Sequence, residues 1–228
     1  MNVKDFKELQ KKIGVDFSNE NLLVTAFVHR SYLNENSDYK EHNERLEFLG
    51  DAVLELVVTE YLYKNYPNPE GDLTNWRSAL VKTETISDAS RDLGFENYLF
   101  MSRGESKSKG RARQLILANC FEAVIGAIYM DKGYTSAKKF ISENLIKRLP
   151  EIIDKKLYID PKSRLQELAQ RKESITPKYD VLEESGPDHQ RTFKVGVFLE
   201  KRKIGEGKGS SKQLAQQDAA EDALKSYK

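Results

Sequence analysis

The sequence predicts an α+β chain of two domains: an all-α domain, then a small domain with the element order α-β-β-β-α. Apolar residues recur at helical spacing through the first part of the chain. From residue 191 to residue 200 they alternate instead, as in a strand with one buried face. Prolines at positions 150 and 161 bound the stretch where the first pattern ends.

Composition limits the classes of protein to consider. The 228 residues, 39% hydrophobic and 32% charged, suffice for one sizeable domain and a small one. No apolar run approaches a membrane span and the N-terminus lacks a signal-peptide core, so we expect a cytoplasmic protein with no membrane partner. A net charge of +1 means that any phosphate-binding surface is a local patch. The single Cys120 lies in an apolar helical run, which predicts core packing rather than a nucleophile.

Helical periodicity in the first domain covers Val3–Val28, His42–Tyr66, Leu73–Leu93 and Ile116–Asp131. The second of these ends before Pro67, because the residue ahead of a proline avoids helical backbone. Gly94 is predicted as a C-cap, and Gly133 follows the end of the last helix. Between the last two helices, residues 103–113 (RGESKSKGRAR) are basic and rich in glycine and serine. They are interpreted as an exposed flexible loop, a phosphate-contacting loop, or both.

The second domain is predicted to begin at residue 160, after a first domain of residues 1–152 and a linker of residues 153–159. Asp160 followed by Pro161 is typical of a helix start, with a capping side chain and then a proline in the first turn. This helix runs to about Arg171. The remaining predicted elements are strands at 177–184, 191–200 and 202–206 and a final helix with Ala215, Ala219 and Ala223 on one face.

The helix of residues 42–66 carries a run of acids that predicts a site. Glu44, Glu47 and Asp51 fall within roughly 60° of one another on one helix face. Like charges stacked this way repel, and a bound cation would remove the penalty. Carboxylate oxygens suit magnesium. The alternative is a solvated charged face, although these acids interrupt apolar residues.

A second helix offers further ligands. Asn119 and Glu122 are polar residues within the apolar run of residues 116–131. Burying an ionised Glu122 without a partner would cost several kcal/mol. It therefore needs a cation, and the acidic face of the other helix is where one could sit.

Two stretches carry a family resemblance. Asn43–Leu54 (NERLEFLGDAVL) resembles the signature box of the ribonuclease III family, the endonucleases that cut double-stranded RNA, and Phe27–Glu35 (FVHRSYLNE) resembles a second box. The resemblance implies cleavage with Mg²⁺, for which Mn²⁺ can substitute, by a homodimer that leaves 5′ phosphates and two-nucleotide 3′ overhangs. It also implies processing of rRNA and mRNA precursors. His29, in the second box, is interpreted as structural, since nothing in the sequence pairs with it.

The resemblance also implies residue roles. Glu47, Asn119 and Glu122 would ligate the metal. Asp51 and Glu122 would complete the catalytic centre. Glu44 and Glu70 would be supporting acids, although Glu70, next to a predicted turn, has two alternatives: a surface charge or a first-turn helix residue. Phe48 would fit a socket in the partner, and the alternative for Phe48 is ordinary core packing.

One departure from the family pattern concerns Asn119, where the family usually has aspartate. An amide oxygen can ligate a hard cation but brings no negative charge, so we expect weaker metal binding. The alternative function is a catalytically weakened or inactive double-stranded RNA-binding protein. A third reading is a structural helical protein with an unrelated appended domain.

The second domain resembles the double-stranded RNA-binding domain, which reads A-form shape over about 16 base pairs. By that resemblance Gln166 and Glu167 meet one minor groove and His189 the next. Lys208, Ser211 and Lys212 meet phosphates at the final helix start, where Gly205, Gly207 and Gly209 are expected to let the backbone turn. The family usually has lysine at Gln213 and perhaps Gln216, so we expect a shallower salt dependence of binding.

Overall fold

The computed structural model describes residues 5–37, 39–187 and 191–227. The chain divides into two compact units, residues 1–158 and residues 159–228. The first unit is helical and the second combines helices with an antiparallel sheet, as the sequence predicts.

The helices of the first unit are α1 (Phe6–Ile13), α2 (Glu20–Ala26), α3 (Arg30–Leu33), α4 (Glu44–Asn65), α5 (Glu70–Val81), α6 (Thr83–Asp92), α7 (Gly110–Asn144) and α8 (Leu149–Asp154). Short 3₁₀ turns occupy Phe95–Asn97, Glu105–Lys107 and Ile146–Arg148. Their shared core includes Cys120, which is fully buried as predicted.

Two helices predicted as continuous are divided. The prediction for Val3–Val28 is wrong between α1 and α2, and that for Leu73–Leu93 is wrong at Lys82, whose backbone is extended. Trp76 and Ile86, on either side of Lys82, are both buried. Both halves thus face one core, so periodicity alone does not reveal the break. Gly94 adopts the left-handed conformation expected of a residue that ends a helix.

The long helix α7 changes direction at Gly133, where the backbone is not helical. Just before this break, the Asp131 carboxylate accepts hydrogen bonds from the backbone N–H groups of Ser18 (2.8 Å) and Asn19 (2.9 Å), where α2 begins. Just after the break, Lys138 Nζ donates to Glu60 on α4 at 2.9 Å. The two halves of α7 therefore hold different partners in place.

One stretch of the described residues is long and apolar enough to approach a membrane span, contrary to the expectation from sequence. Residues Gly110–Asp154 have the length and mean hydropathy, 1.2, of a weak candidate. However, 61% of its most apolar window is buried in the protein, as in the core helix of a globular unit.

Residues 153–158, assigned to a linker by sequence analysis, lie within the first compact unit. Ile153 and Tyr158 pack against its core, and the Tyr158 ring lies edge-on to Trp76 with centroids 6.2 Å apart. Because these apolar side chains pack against the core, the first unit continues to Tyr158.

The second unit contains α9 (Pro161–Glu173), β1 (Lys178–Ser185), β2 (Thr192–Leu199), β3 (Arg202–Gly209) and α10 (Lys212–Ser226). The strands form one antiparallel sheet in the order β1-β2-β3. Asp160 accepts hydrogen bonds from the backbone N–H groups of Lys162 and Ser163, so it caps α9 as predicted. Ala215, Ala219 and Ala223 of α10 are fully buried against the sheet.

The glycines of β3 do not serve a turn, so that expectation is wrong. Gly205, Gly207 and Gly209 lie in the strand and face α10. A Cβ added at Gly207 would lie 2.1 Å from the backbone nitrogen of Ala219. Strand and helix approach so closely that no side chain fits between them.

Candidate functional site

The candidate site is built where α4 crosses α7 with the two backbones in contact. A Cβ added at Gly50 would lie 1.8 Å from the carbonyl oxygen of Glu122. A Cβ added at Gly126 would lie 2.1 Å from the carbonyl oxygen of Leu46. Only glycine permits this approach, which brings side chains flanking the crossing on the two helices toward one another.

The acidic cluster, defined as Glu47 and Asp51 of α4 with Glu122 of α7, lies at this crossing. Glu47 and Asp51 are one helical turn apart. Asn119, one turn before Glu122, donates a side-chain hydrogen bond to Glu47. The structure therefore brings together residues from both predicted motifs.

Burial raises the pKa of Glu122 to about 8, and the charges of Asp51 and Glu47 add to this rise. Burial also raises the pKa of Glu47 above its ordinary value. Nearby acids contribute to that second rise, while the hydrogen bond from Asn119 opposes it. The carboxylates are thus held together at an electrostatic penalty that a cation would relieve.

Glu44 lies at the exposed rim of the cluster, where its charge contributes to the raised pKa of Glu47. Arg30 and His42 approach the Glu44 carboxylate at 3.8 Å each. Glu44 therefore joins the cluster at its edge, beside the guanidinium of Arg30 from α3.

Sequence analysis missed Glu55, which contributes to the raised pKa of Glu122. Glu55 follows Asp51 by one helical turn, so extending the acidic pattern along α4 would have found it. Glu55 also has a close cation, since Arg77 Nε lies 3.2 Å from its carboxylate.

Within the described residues, no three histidine, cysteine, aspartate or glutamate side chains lie close enough to form a ready-made metal cage. The donors at the crossing are nevertheless hard oxygens, and they include the amide oxygen of Asn119. Magnesium binds through one or two carboxylates and keeps several waters, so this donor set fits Mg²⁺ better than an ion that needs a full protein cage.

Glu70 lies away from the acidic cluster within one chain. It is the first residue of α5, which matches the first-turn alternative. It lines a groove of 690 Å³ together with Tyr63, Tyr66 and Leu73. Tyr63 is three helical turns beyond Asp51, roughly 18 Å along α4.

A stripe of large apolar side chains is exposed along α4. Phe48 is 81% exposed and Tyr63 is 80% exposed, with Leu56 between them also exposed. The interpretation of Phe48 as ordinary core is therefore wrong. Large apolar side chains exposed in a stripe mark an interaction surface.

The basic segment, residues 103–113, has defined contacts. Its cationic side chains Lys107, Lys109 and Arg113 line a cavity of 440 Å³ with Arg91 of α6. Arg113 Nη2 donates to the carbonyl oxygen of Ser106 at 2.9 Å. Cations gathered around one cavity provide the arrangement that contact with phosphate requires.

In the second unit, Gln166 and Glu167 are exposed on α9, and Lys208 is exposed on β3. Ser211 caps α10, since its hydroxyl oxygen accepts from the Leu214 N–H at 3.2 Å. Lys212 Nζ lies 3.2 Å from the Glu184 carboxylate.

The glutamines near the start of α10 differ in their contacts. Gln216 is engaged by Lys162, whose Nζ donates to its side-chain oxygen at 2.7 Å. Gln213 is exposed. His189, predicted to meet a minor groove, lies outside the described residues.

Family models match both units. A model described as Ribonuclease-III-like matches residues 19–149. A model of the double-stranded RNA binding motif matches residues 161–227. Together they span most of the chain, and each match lies within one compact unit.

Similar proteins match over nearly their full lengths. The chain is 44% identical over 223 residues to Ribonuclease 3 of Protochlamydia amoebophila, covering 97% of this chain and 92% of that protein. It is 46% identical over 220 residues to Ribonuclease 3 of Streptococcus sanguinis, covering 96% and 94%.

Among solved structures, the nuclease domain of ribonuclease III from Campylobacter jejuni is 36% identical with a TM-score of 0.58, covering 65% of this chain and 98% of that domain. A second structure of that domain, described for flexibility in a region involved in dimer formation, is 37% identical with a TM-score of 0.54 and covers 61% and 98%.

Proposed function

The chain belongs to the ribonuclease III family of endoribonucleases that act on double-stranded RNA, and from that premise we propose that it cuts RNA duplexes with Mg²⁺ bound at the acidic cluster. Mn²⁺ would substitute for Mg²⁺. The products carry 5′ phosphates and two-nucleotide 3′ overhangs. Duplex stems in rRNA and mRNA precursors are the proposed substrates, and the cytoplasm is the proposed location.

The observation that supports this most is the backbone contact between α4 and α7 at Gly50 and Gly126. It holds carboxylates from two helices together although they repel one another. A protein interior does not usually gather like charges unless another ion or a reaction uses them.

The proposed ligands are the carboxylates of Glu47 and Glu122 and the amide oxygen of Asn119. When bound there, Mg²⁺ would neutralise charge on the phosphate, activate a water and stabilise the leaving 3′ oxygen. Asn119 can serve because an amide that donates its N–H to Glu47 still has an oxygen with which to ligate a cation.

Because burial raises the pKa of Glu122 to about 8, the protonated form of this side chain is favoured when no cation is present. Cation binding therefore displaces this proton, and affinity for the cation rises as the pH approaches 8. Asp51 is exposed, so its carboxylate can accept a proton from a water molecule.

We further propose a homodimer that pairs two nuclease domains through the exposed face of α4. Phe48 would enter an apolar groove of the second copy, and the groove lined by Tyr63 and Tyr66 has the size and character for an aromatic ring. Glu70 lines the same groove, so its supporting role would belong to the paired state.

The second unit would hold the duplex. Gln166 and Glu167 present hydrogen-bonding groups for a minor groove, while Lys208 and Lys212 present cations for phosphates. Lys212 would exchange its contact with Glu184 for a phosphate when RNA binds.

The alternative, a double-stranded RNA-binding protein weakened in catalysis, rests on Asn119. Its hydrogen bond to Glu47 lowers the repulsion in the cluster without a metal, and so reduces the gain from binding one. An Asn119→Asp variant that cuts much faster than wild type at low Mg²⁺ would favour this alternative.

The test of the proposed function is to incubate a long RNA duplex with the protein and Mg²⁺. We expect short products with the stated ends. Glu122→Gln should slow cutting by about 100-fold or more while duplex binding persists. Glu96→Gln, at an exposed glutamate of the same unit, is the matched control. Normal cutting by Glu122→Gln would overturn the site assignment.

The dimer proposal is tested by sedimentation of Phe48→Ala. Loss of an aromatic anchor at the centre of an interface should shift the protein toward monomer. Leu182→Ala, at an exposed leucine of the second unit, is the control. If Phe48→Ala stays fully dimeric, the proposal that Phe48 enters the groove of the second copy is wrong.

A further inference from the structure

Three separate parts of the first unit meet around the start of α3. The backbone N–H of His29 donates to the carbonyl oxygen of Phe100 at 2.9 Å, and the N–H of Phe100 donates to Phe27 at 2.8 Å. On the other side, the N–H of Asn43 donates to the carbonyl oxygen of Val28 at 2.9 Å. Residues 27–29 therefore lie between the start of α4 and the strand-like stretch that precedes the basic segment.

Side chains on and just after α3 extend this contact to the basic segment. Ser31 Oγ accepts a hydrogen bond from the backbone N–H of Ser102 at 3.1 Å. The Glu35 carboxylate accepts from the backbone N–H of Arg103 at 3.3 Å and 3.2 Å. These partners are 71 and 68 residues apart in sequence, so the bonds fix where the basic segment begins.

His29 holds Ser31 in the required orientation. Its Nδ1 lies 2.8 Å from Ser31 Oγ and accepts from the Ser31 backbone N–H at 3.2 Å. In the neutral tautomer with its proton on Nε2, the single lone pair of Nδ1 faces both the N–H and the hydroxyl of Ser31. Burial lowers the pKa of His29, although the charges of Glu105 and Glu44 act in the opposite direction. In that tautomer the Ser102 N–H donates to the Ser31 hydroxyl oxygen, and the Ser31 O–H donates to His29 Nδ1.

The same region touches the acidic side of the site. Arg30, the first residue of α3, lies 3.8 Å from the Glu44 carboxylate at the rim of the acidic cluster. We propose that His29, Ser31 and Glu35 are positioning residues, which fix the basic segment at a set distance from the acidic cluster and so select the phosphodiester that is cut. This inference rests on the proposed function.

Small displacements matter here because successive phosphates along one RNA strand are only a few ångströms apart. A displaced phosphate is held less well, and it presents the neighbouring bond to the acidic cluster. The cations at Lys107, Lys109 and Arg113 would hold a phosphate, and the bonds made by Ser31 and Glu35 would set where that phosphate lies.

The test uses the full chain and a duplex labelled at one 5′ end. Ser31→Ala removes the acceptor for Ser102, and Glu35→Ala removes the acceptor for Arg103. Glu35→Gln keeps an oxygen that can accept and should restore wild-type behaviour. Ser37→Ala and Glu41→Ala change exposed residues of the same connection and are the matched controls.

Three quantities separate positioning from general damage: the cut position, KM against kcat, and hydrogen exchange at the amides of Ser102 and Arg103. Losing one such hydrogen bond should raise KM about threefold to tenfold. We expect kcat to change less than KM, cuts to spread to adjacent phosphodiesters, and the two amides to exchange faster. The backbone bonds of His29 and Phe100 remain in these variants, so the fold should persist.

The outcomes distinguish this inference from the proposed function. If wild type cuts at one position and folded Ser31→Ala and Glu35→Ala cut there too with unchanged KM, the positioning role is overturned while the nuclease remains. Faster amide exchange without a change in cutting overturns it as well. If wild type cuts no duplex, the proposed function fails, and selection of a cut site fails with it.

Discussion

Both units contain a backbone contact too close for any side chain, yet the carboxylates beside the two contacts have opposite surroundings. At the crossing of α4 and α7, Glu122 faces other acids and its pKa is raised. Where β3 meets α10, Asp218 and Asp222 accept hydrogen bonds from the backbone N–H groups of Lys208 (2.8 Å) and Glu206 (3.1 Å).

The difference separates structural carboxylates from those that are proposed to bind a cation. β3 lies at the edge of the sheet, so some of its N–H groups would otherwise lack partners. Asp218 and Asp222 satisfy those groups and stabilise the fold. Within the described residues, the acids of the α4–α7 crossing have no comparable donor apart from Asn119, so their mutual repulsion disfavours the folded state.

The largest effect is expected from breaking either close contact. Gly126→Ala places a Cβ against the Leu46 carbonyl, and overpacking of this kind costs on the order of 3 kcal/mol of unfolding free energy. It should also abolish cutting, because the acids separate. Gly207→Ala should destabilise the second unit instead and weaken duplex binding. Thermal unfolding and the duplex assay measure both.

Gly71→Ala is the control for these substitutions, since no atom lies within 4 Å of the added Cβ and Gly71 is in the first turn of a helix. It should leave stability unchanged or raise it by less than about 1 kcal/mol. A Gly126→Ala protein as stable and active as Gly71→Ala would show that the crossing is not tight.

A second prediction concerns pH. The pKa of Glu122 is raised from 4.5 to about 8 in the folded protein, so metal-free protein should lose stability as the pH rises through that interval. The loss should reach a few kcal/mol, and Glu47 contributes in the same direction. In Glu122→Gln, the part of this pH-dependent loss of stability that Glu122 contributes should be absent.

The measurement is chemical denaturation of both proteins at several pH values with EDTA and then with Mg²⁺. Mg²⁺ should restore wild type at the alkaline end and have little effect on Glu122→Gln. If the unfolding free energies of wild type and Glu122→Gln change with pH in the same way without metal, the pKa of Glu122 is not raised in the folded protein.

A smaller effect is expected at the satisfied carboxylates. Asp218→Ala leaves the Lys208 N–H without its acceptor and should cost about 1 kcal/mol, whereas Asp218→Asn keeps an oxygen and should cost less. Neither should alter the dependence of stability on Mg²⁺. If Asp218→Ala changed that dependence, the separation between structural and functional carboxylates would not hold.

The smallest effect concerns charge at the start of α10. Gln213→Lys adds an exposed cation, so the slope of log affinity against log salt should steepen by about one. Binding of a duplex by Glu122→Gln protein, measured at several salt concentrations, reports this slope without cutting. An unchanged slope would mean that position 213 does not meet a phosphate.

Local sequence pattern was enough to place Glu47 and Asp51 on one helix face, and Asn119 and Glu122 on another. It could not show that the two faces meet, because that depends on Gly50 and Gly126 fitting together across 76 residues of chain. The family resemblance supplied the pairing instead.

The errors share one cause. The break at Lys82 leaves the spacing of apolar residues unchanged. The glycines of β3 are typical of a turn in sequence, and only their packing against α10 shows that they belong to a strand. The exposure of Phe48 also depends on which helix face the core leaves uncovered. Each is a property of packing between elements, which the pattern along one element does not contain.

The hydrogen bond between Asp131 and Ser18, just before α2, spans 113 residues of chain. The N-terminal helices therefore leave the ribosome well before the carboxylate that completes them has been synthesised. Contacts between such distant residues slow folding, because the intervening chain must first be ordered. During translation, the N-terminal segment of a nascent chain would stay unanchored and open to proteases or chaperones until α7 emerges.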